Sequence, residues 1–226
     1  MPLLSTPDLI ALAFFLGAWA AYAAVIEWSA HGRRGLNAEM DSYRETWMRQ
    51  MLARPNRIVD TQITASLQNG TAFFASTSLI AIGGALTLLR STDEMLAVFG
   101  TLPFGITTTR AEWEAKTLGL AIIFVYAFFK FAWSYRLFNY FAVLLGAAPP
   151  IEEKDTPEAL AYARRAAKLS EEAGRHFNRG QRAFFLALGY LGWFVSPWVF
   201  MATTTGVLVV MWRRQLASPA RRAIER

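Results

Sequence analysis

The chain has 226 residues, no cysteine and only two histidines, His31 and His176. Without thiolates there is no disulfide scaffold, redox pair or zinc ribbon, and two imidazoles are too few for an all-protein His/Cys metal site. Charge is scarce too, at 18% of positions, where ordinary soluble domains carry about 25%. Apolar residues make up 54% of the chain, aromatics 14%, and the mean hydropathy is +0.25. This composition excludes disorder and shifts the chain toward the membrane class before any position is read.

Three runs lack Asp, Glu, Lys and Arg: Leu9 to Ile26, Thr61 to Leu89 and Ala183 to Trp212. A helix crossing the roughly 30 Å hydrocarbon core needs about 20 residues, so each run can span. A fourth run, Thr117 to Phe129, is followed by Lys130, Arg136 and a second uncharged stretch. With Lys116 at one interface, Lys130 lies about 21 Å along the helix and Arg136 about 30 Å, at the opposite interface. Lys130 then either snorkels to that interface or turns into the bundle to meet an acid or a carbonyl. The expected fold is all-α: an integral membrane four-helix bundle in one domain. Its spans fall at about 7–28, 61–89, 117–138 and 184–212, with helical loops at 29–60 and 139–183.

The loops set the orientation. Arg33, Arg34, Arg44, Arg49, Arg54 and Arg57 lie between spans one and two, and Lys154, Arg164, Arg165, Lys168, Arg175, Arg179 and Arg182 between three and four. The loop between spans two and three has only Arg90, Arg110 and Lys116. By the positive-inside rule the first and third loops are cytoplasmic and the N-terminus is outside. The start, MPLLSTPD, has no basic n-region, so span one reads as a retained helix. The tail disagrees, because four crossings put Arg213, Arg214, Arg221, Arg222 and Arg226 outside. A break at Pro197 with a re-entrant return is the alternative; four continuous spans are the simpler expectation.

Within the first loop, Asn37 reads as the cap of an amphipathic helix from about Ala38 to Leu52, with Met40, Tyr43, Trp47 and Met51 on one face. That face suits either lipid headgroups or the protein's own third loop. In the third loop, Thr156-Pro157-Glu158 is a compact helix start. Ala159, Ala163, Ala167, Ser170 and Gly174 then form a small-residue stripe along which a second helix can approach closely. Helices are therefore expected to continue beyond the bilayer into a cytoplasmic bundle.

Span two carries Gln62, Asn69, Ser76 and Gly83 at intervals of seven, one slowly drifting stripe. Such a stripe is either a helix-to-helix seam or the lining of a water-filled path, with Lys130 a further pore candidate. Two charged clusters stand at the cytoplasmic mouth. Arg57 and Asp60 open span two, while Arg175, Arg179 and Arg182 share one face at the entry to span four; Arg136 ends span three. They can pair with one another, or hold an anion or phospholipid headgroup, since arginine forks suit phosphate.

The segments Asn56-Arg57-Ile58-Val59-Asp60 with Gln62, Phe131-Ala132-Trp133-Ser134 with Arg136, and Gly180-Gln181-Arg182-Ala183-Phe184-Phe185 followed by Trp193-Phe194-Val195-Ser196-Pro197 carry a resemblance. In order and spacing the chain resembles a family of integral membrane proteins of unknown function found in bacteria and plants. The resemblance implies a multi-pass inner-membrane protein and supplies no activity. Asn69-Gly70 stands where an Arg-Asn pair is expected, and Ala183-Phe184-Phe185 where tyrosines are expected.

No Ser/His/Asp spacing, phosphate loop or HExxH motif is present, and the expectation is of a protein without catalysis, cofactor or metal. Two functions remain. One is a membrane scaffold or accessory subunit whose basic cytoplasmic face holds anionic lipid or a protein partner. The other is an oligomeric channel or transporter built around Gln62, Asn69 and Ser76. A homo-oligomer or a membrane-protein partner fits either, and nothing marks a nucleic-acid module. Arginine supplies 19 of the 23 basic residues, which favours fixed ion pairs and phosphate contacts over proton chemistry.

Overall fold

The computed structural model describes residues 4–29, 35–101, 108–217, 219 and 223. Among these there are seven α-helices and no strand: α1 (Thr6–Trp28), α2 (Leu36–Leu52), α3 (Ile58–Arg90), α4 (Thr92–Gly100), α5 (Arg110–Gly146), α6 (Pro157–Tyr190) and α7 (Pro197–Leu216). Four starts share one local chemistry, a hydroxyl that accepts from an otherwise orphaned backbone N–H. Ser5 caps α1, Thr109 caps α5, Thr156 caps α6 and Ser196 caps α7. Proline follows in the first turn of α1, α6 and α7, where its missing N–H costs nothing.

Three long helices form the frame. At 33, 37 and 34 residues, α3, α5 and α6 run about 50–55 Å each. α3 lies antiparallel to α5: Arg57 meets the carbonyls of Ala148 and Pro149, Gln68 donates to Asn139 at 2.7 Å, and Phe74 stacks on Phe131 at 5.4 Å. α6 lies antiparallel on the other side of α5, with Tyr162 donating to the Leu144 carbonyl, Ser134 to the Ala173 carbonyl and Tyr190 to the Lys116 carbonyl. The stripe Ala159, Ala163, Ala167, Ser170 and Gly174 is buried, as its side-chain sizes anticipated, and its Gly174 end lies against Arg44 of α2.

α1, α3 and α5 are each long and apolar enough to cross a membrane. α1 and α7 accompany only one end of the frame, where Phe15 packs on Tyr190 and Phe200. α2 accompanies the other end, burying Met48, Met51 and Leu52 against Phe138, Phe141, Ala159 and Ala163. The amphipathic helix of the first loop thus packs on the protein's own third-loop helix. It begins at Leu36 after a Gly35 cap and not at Ala38. Its buried face is also turned from the expected one: Met40 is 42% exposed and Met48 takes its place.

The expected span at 184–212 is not one helix. α6 ends at Tyr190, a 3-10 turn covers Leu191–Phe194, and α7 starts at Pro197 and runs back along α6. Ser196-Pro197 repeats the cap-and-proline pattern of Thr156-Pro157, so Pro197 opens a helix and does not kink one. Thr203 Oγ1 donates to the Gly189 carbonyl at 2.6 Å, and a Cβ on Gly189 would come within 3.2 Å of the Thr204 Cα. The two backbones can meet this closely only because Gly189 has no side chain. Arg213 and Arg214, in the last turn of α7, are thereby returned to the end of the bundle where α1 finishes.

A larger residue at this crossing should separate the hairpin. Gly189→Val is expected to destabilise by about 1–3 kcal/mol, read as a lower unfolding midpoint in detergent. Gly17→Val, where a Cβ meets nothing within 4 Å, should leave the midpoint nearly unchanged. Equal midpoints for the two variants would argue against the packed hairpin.

Candidate functional site

Charged side chains gather at both ends of the α1–α6–α7 unit. At the first end, Asp8 and Lys116 are 3% and 5% exposed and lie 3.3 Å apart. Asp8 also accepts from Trp193 Nε1 at 2.6 Å and from the Ser5 hydroxyl. Lys116 reaches Glu112 at 2.7 Å and rests 5.4 Å from the Trp193 ring centre. Tyr190 closes the group from below, its hydroxyl occupying the space a Cβ on Gly119 would need. Every member has a partner, the condition under which a buried ion pair is tolerated.

At the second end Glu27 receives a fork from Arg179, at 2.6 and 3.0 Å, and a further bond from Arg182. Arg175 turns away to Glu172 at 2.7 Å. Beside them His176 leaves Nδ1 buried and without a hydrogen-bond partner. Burial, with the Lys130 and Arg179 cations nearby, holds this imidazole below its usual range, so it is neutral at pH 7. A cleft of 330 Å³ opens here between the end of α1, the start of α2, α6 and the end of α7, lined by Glu27, Asn37, Asp41, Arg179, Arg182 and Gln215. Burial pushes the Asp41 carboxyl up, against the opposing pull of Arg44 and Arg175.

Asp60 does not join this group. Its buried carboxylate accepts from Arg54 at 2.5 Å and Trp47 at 2.6 Å, while Oδ2 has no partner. Arg57 ties the α3 start to the end of α5 through the Ala148 and Pro149 carbonyls. The expected charged cluster is therefore two separate places plus Arg136, which is exposed and bonded to Tyr140 at 2.7 Å. Lys130 forms no salt bridge among the described residues; it is half-buried over the Tyr126 ring and faces the His176–Arg179 turn.

The stripe of α3 points outward. Gln62, Asn69, Ser76 and Gly83 are all exposed, whereas Thr64, Thr71, Ser78 and Ala85, two positions on, are buried. Three of the buried hydroxyls bond back to the carbonyl four residues earlier and need no partner helix. Depth matters as much as direction. The Gln68–Asn139 bond sets Asn69 level with the Arg136 turn of α5, which is about 30 Å from Lys116, and Gln62 lies about 10 Å further. The stripe therefore runs from Ser76 and Gly83, level with the apolar middle of α5, to Asn69 and Gln62 at and beyond its Arg136 turn.

Sequence reasoning missed the Asp8–Lys116–Trp193 network and the arginine partners of Glu27. In the sequence Asp8 stands only within the start MPLLSTPD, and the titratable neighbour one turn from Glu27 is His31, which lies outside the described residues. Charges flanking three different apolar runs were the available signal. Among the described residues, no group of three His, Cys, Asp or Glu side chains could hold a metal ion.

Removing one member of the Asp8–Lys116 pair should cost more than removing both. Lys116→Met is expected to destabilise by about 3 kcal/mol or more, and Asp8→Asn added to it should regain most of that. Unfolding in mixed micelles measures the cycle; additive losses would mean that the pair is not coupled.

No curated protein and no solved structure matches the chain. A family profile described as a protein of unknown function, DUF599, covers residues 10–220, a stretch that holds the three long helices, the α6–α7 hairpin and the Glu27–Arg179–Arg182 group, and the chain belongs to that family.

Proposed function

We propose that this chain is a multi-pass protein of the bacterial inner membrane, N-terminus outside, acting as a scaffold or accessory subunit that holds anionic lipid at its cytoplasmic surface. One observation carries the reading: the way charge is layered along the bundle. At the Asp8 end, Arg90, Arg110 and Lys116 are outnumbered by Asp8, Asp93, Glu94, Glu112 and Glu114. At the Glu27 level, Lys130, Arg136, Arg175, Arg179, Arg182, Arg213 and Arg214 outnumber Glu27, Glu171 and Glu172, with the neutral pair Arg44–Asp41 beside them. Further out, where α2 packs on α5 and α6, the pairs Arg49–Glu45 and Arg54–Asp60 are neutral. Glu152, Glu153, Asp155 and Glu158 there offset Lys154, Arg164, Arg165 and Lys168.

The excess positive charge is thus a collar at one membrane boundary. That distribution supports the orientation by the positive-inside rule and favours lipid headgroups, because a field screened within about 8 Å acts where the collar sits. The charge-balanced helical platform beyond it suits a protein partner. The channel alternative requires the outward-facing stripes of several copies to meet around a path, and Gln62 and Asn69 lie at or past the boundary, which leaves Ser76 as the stripe's one polar side chain inside it.

Two measurements test this. In detergent, phosphatidylglycerol should raise the unfolding midpoint more than phosphatidylcholine. The excess should shrink with salt and fall in Arg136→Gln with Arg213→Gln by about 1 kcal/mol per charge. Equal stabilisation by both lipids at low salt would sink the lipid reading. The absence of native cysteine makes single-cysteine labelling clean: a membrane-impermeant maleimide should modify Asn69→Cys only from the cytoplasmic face and leave Gly83→Cys unmodified. Labelling of Asn69→Cys from outside would reverse the orientation, and ready labelling of Gly83→Cys would revive the water path.

A further inference from the structure

The α6–α7 hairpin leaves an open apolar groove on its outer face. Leu188, Gly189, Gly206, Val207 and Val210 line a space of 380 Å³ that lies among uncharged residues and ends at Arg214. Phe185, Met211 and Arg214 line it and also line a second chamber of 270 Å³. That chamber in turn shares Ile26, Asn37, Asn178, Arg182 and Gln215 with the polar cleft at Glu27. The three spaces adjoin one another, wall to wall, from the apolar side of the hairpin to the arginine collar.

The polar end has unused binding capacity. Glu27 is one carboxylate serving both Arg179 and Arg182, which leaves a net positive charge. Arg214, exposed on the last turn of α7, adds another, and the α7 C-terminus tolerates it through the helix dipole. Gln215 Nε2 is buried with no acceptor although it lines both polar chambers. A donor in that state costs free energy until an acceptor arrives. Two guanidinium groups and an amide N–H around one chamber match the oxygens of a phosphodiester.

We propose that this cleft is a binding site for a single anionic phospholipid of the cytoplasmic leaflet. One acyl chain lies in the Gly189–Gly206 groove and the phosphate sits at Arg182, Arg214 and Gln215. The proposal rests on the lipid reading of the collar and adds a discrete, stoichiometric site to it. Gly206 is central, because the missing side chain leaves the groove open and a Cβ there would meet nothing within 4 Å. A larger residue can therefore fill the groove without forcing the helices apart.

The test is native mass spectrometry of the full chain, delipidated and then incubated with phosphatidylglycerol, phosphatidylethanolamine or glycerol 3-phosphate. The wild type is expected to retain one phosphatidylglycerol in preference to phosphatidylethanolamine. Gly206→Phe, which spares every charge, and Arg214→Gln, which spares the groove, should each weaken retention about tenfold or more. Arg136→Gln, on the collar but outside the cleft, should lower the general phosphatidylglycerol preference and leave the one-lipid stoichiometry intact. Undiminished retention in Gly206→Phe with a wild-type unfolding midpoint would overturn the proposal, as would equal competition by glycerol 3-phosphate, since the groove would then be idle. If Arg136→Gln abolishes the general phosphatidylglycerol preference while the one-lipid stoichiometry persists, the site stands apart from the collar. If the preference persists and the stoichiometry is absent, the collar reading survives and the site falls.

Discussion

A charge at the edge of an apolar slab has to find a counter-charge, and in this protein that requirement joins helices that are far apart in the chain. Asp8 meets Lys116 and Trp193 at one end of α1, and Glu27 meets Arg179 and Arg182 at the other. Between them α1 is nearly free of directional bonds and contributes packing alone, with Phe15 set among Tyr190 and Phe200. The two ionic ends act as fixed points. They determine how far α1 slides along α6 and where the 3-10 turn after Tyr190 comes to rest. They also hold α7 where its last turn can line the cleft.

The return of α7 resolves a contradiction in the charge pattern. Read as four crossings, the chain ends with arginines on the wrong side; read as a hairpin, Arg213 and Arg214 join Arg179 and Arg182 at the same boundary. The same hairpin makes the groove, because two short antiparallel segments crossing at Gly189 touch near the turn and diverge toward Arg214. The end of the bundle at which α7 finishes, the gathering of arginines there and the cleft thus follow from one helix start at Ser196-Pro197.

Much of the scaffold was legible because it depends on run length and local chemistry. The uncharged runs locate α1 and the apolar parts of α3 and α5, and Thr156-Pro157-Glu158 marks the start of α6 to the residue. The small-residue stripe from Ala159 to Gly174 is buried as its shape implied. The parts that were not legible share a cause. Ser196-Pro197 sits inside an apolar run, and composition outweighed the capping signal. The Gln62–Asn69–Ser76 stripe was real as periodicity, yet periodicity fixes a face and not the neighbour that face meets. α3 turned Thr64, Thr71 and Ser78 inward, since their hydroxyls can bond within their own helix and the amides cannot. The arginines of α6 were recognised as a group, but Glu27, separated from Arg179 by 152 positions, was beyond local reading.

That separation bears on how the molecule is made. α1 leaves the ribosome before its partners, carrying two carboxylates whose counter-charges have not yet been synthesised. Arg179 follows Glu27 by 152 positions; at about 5–20 residues per second the wait is on the order of ten seconds or more. Until then Glu27 must stay in water or bind a proton, and α1 cannot settle into its final position. The later helices lock the earlier one in place. A chain that stops before α6 carries its own mark of incompleteness, an acid without a counter-charge at the membrane surface.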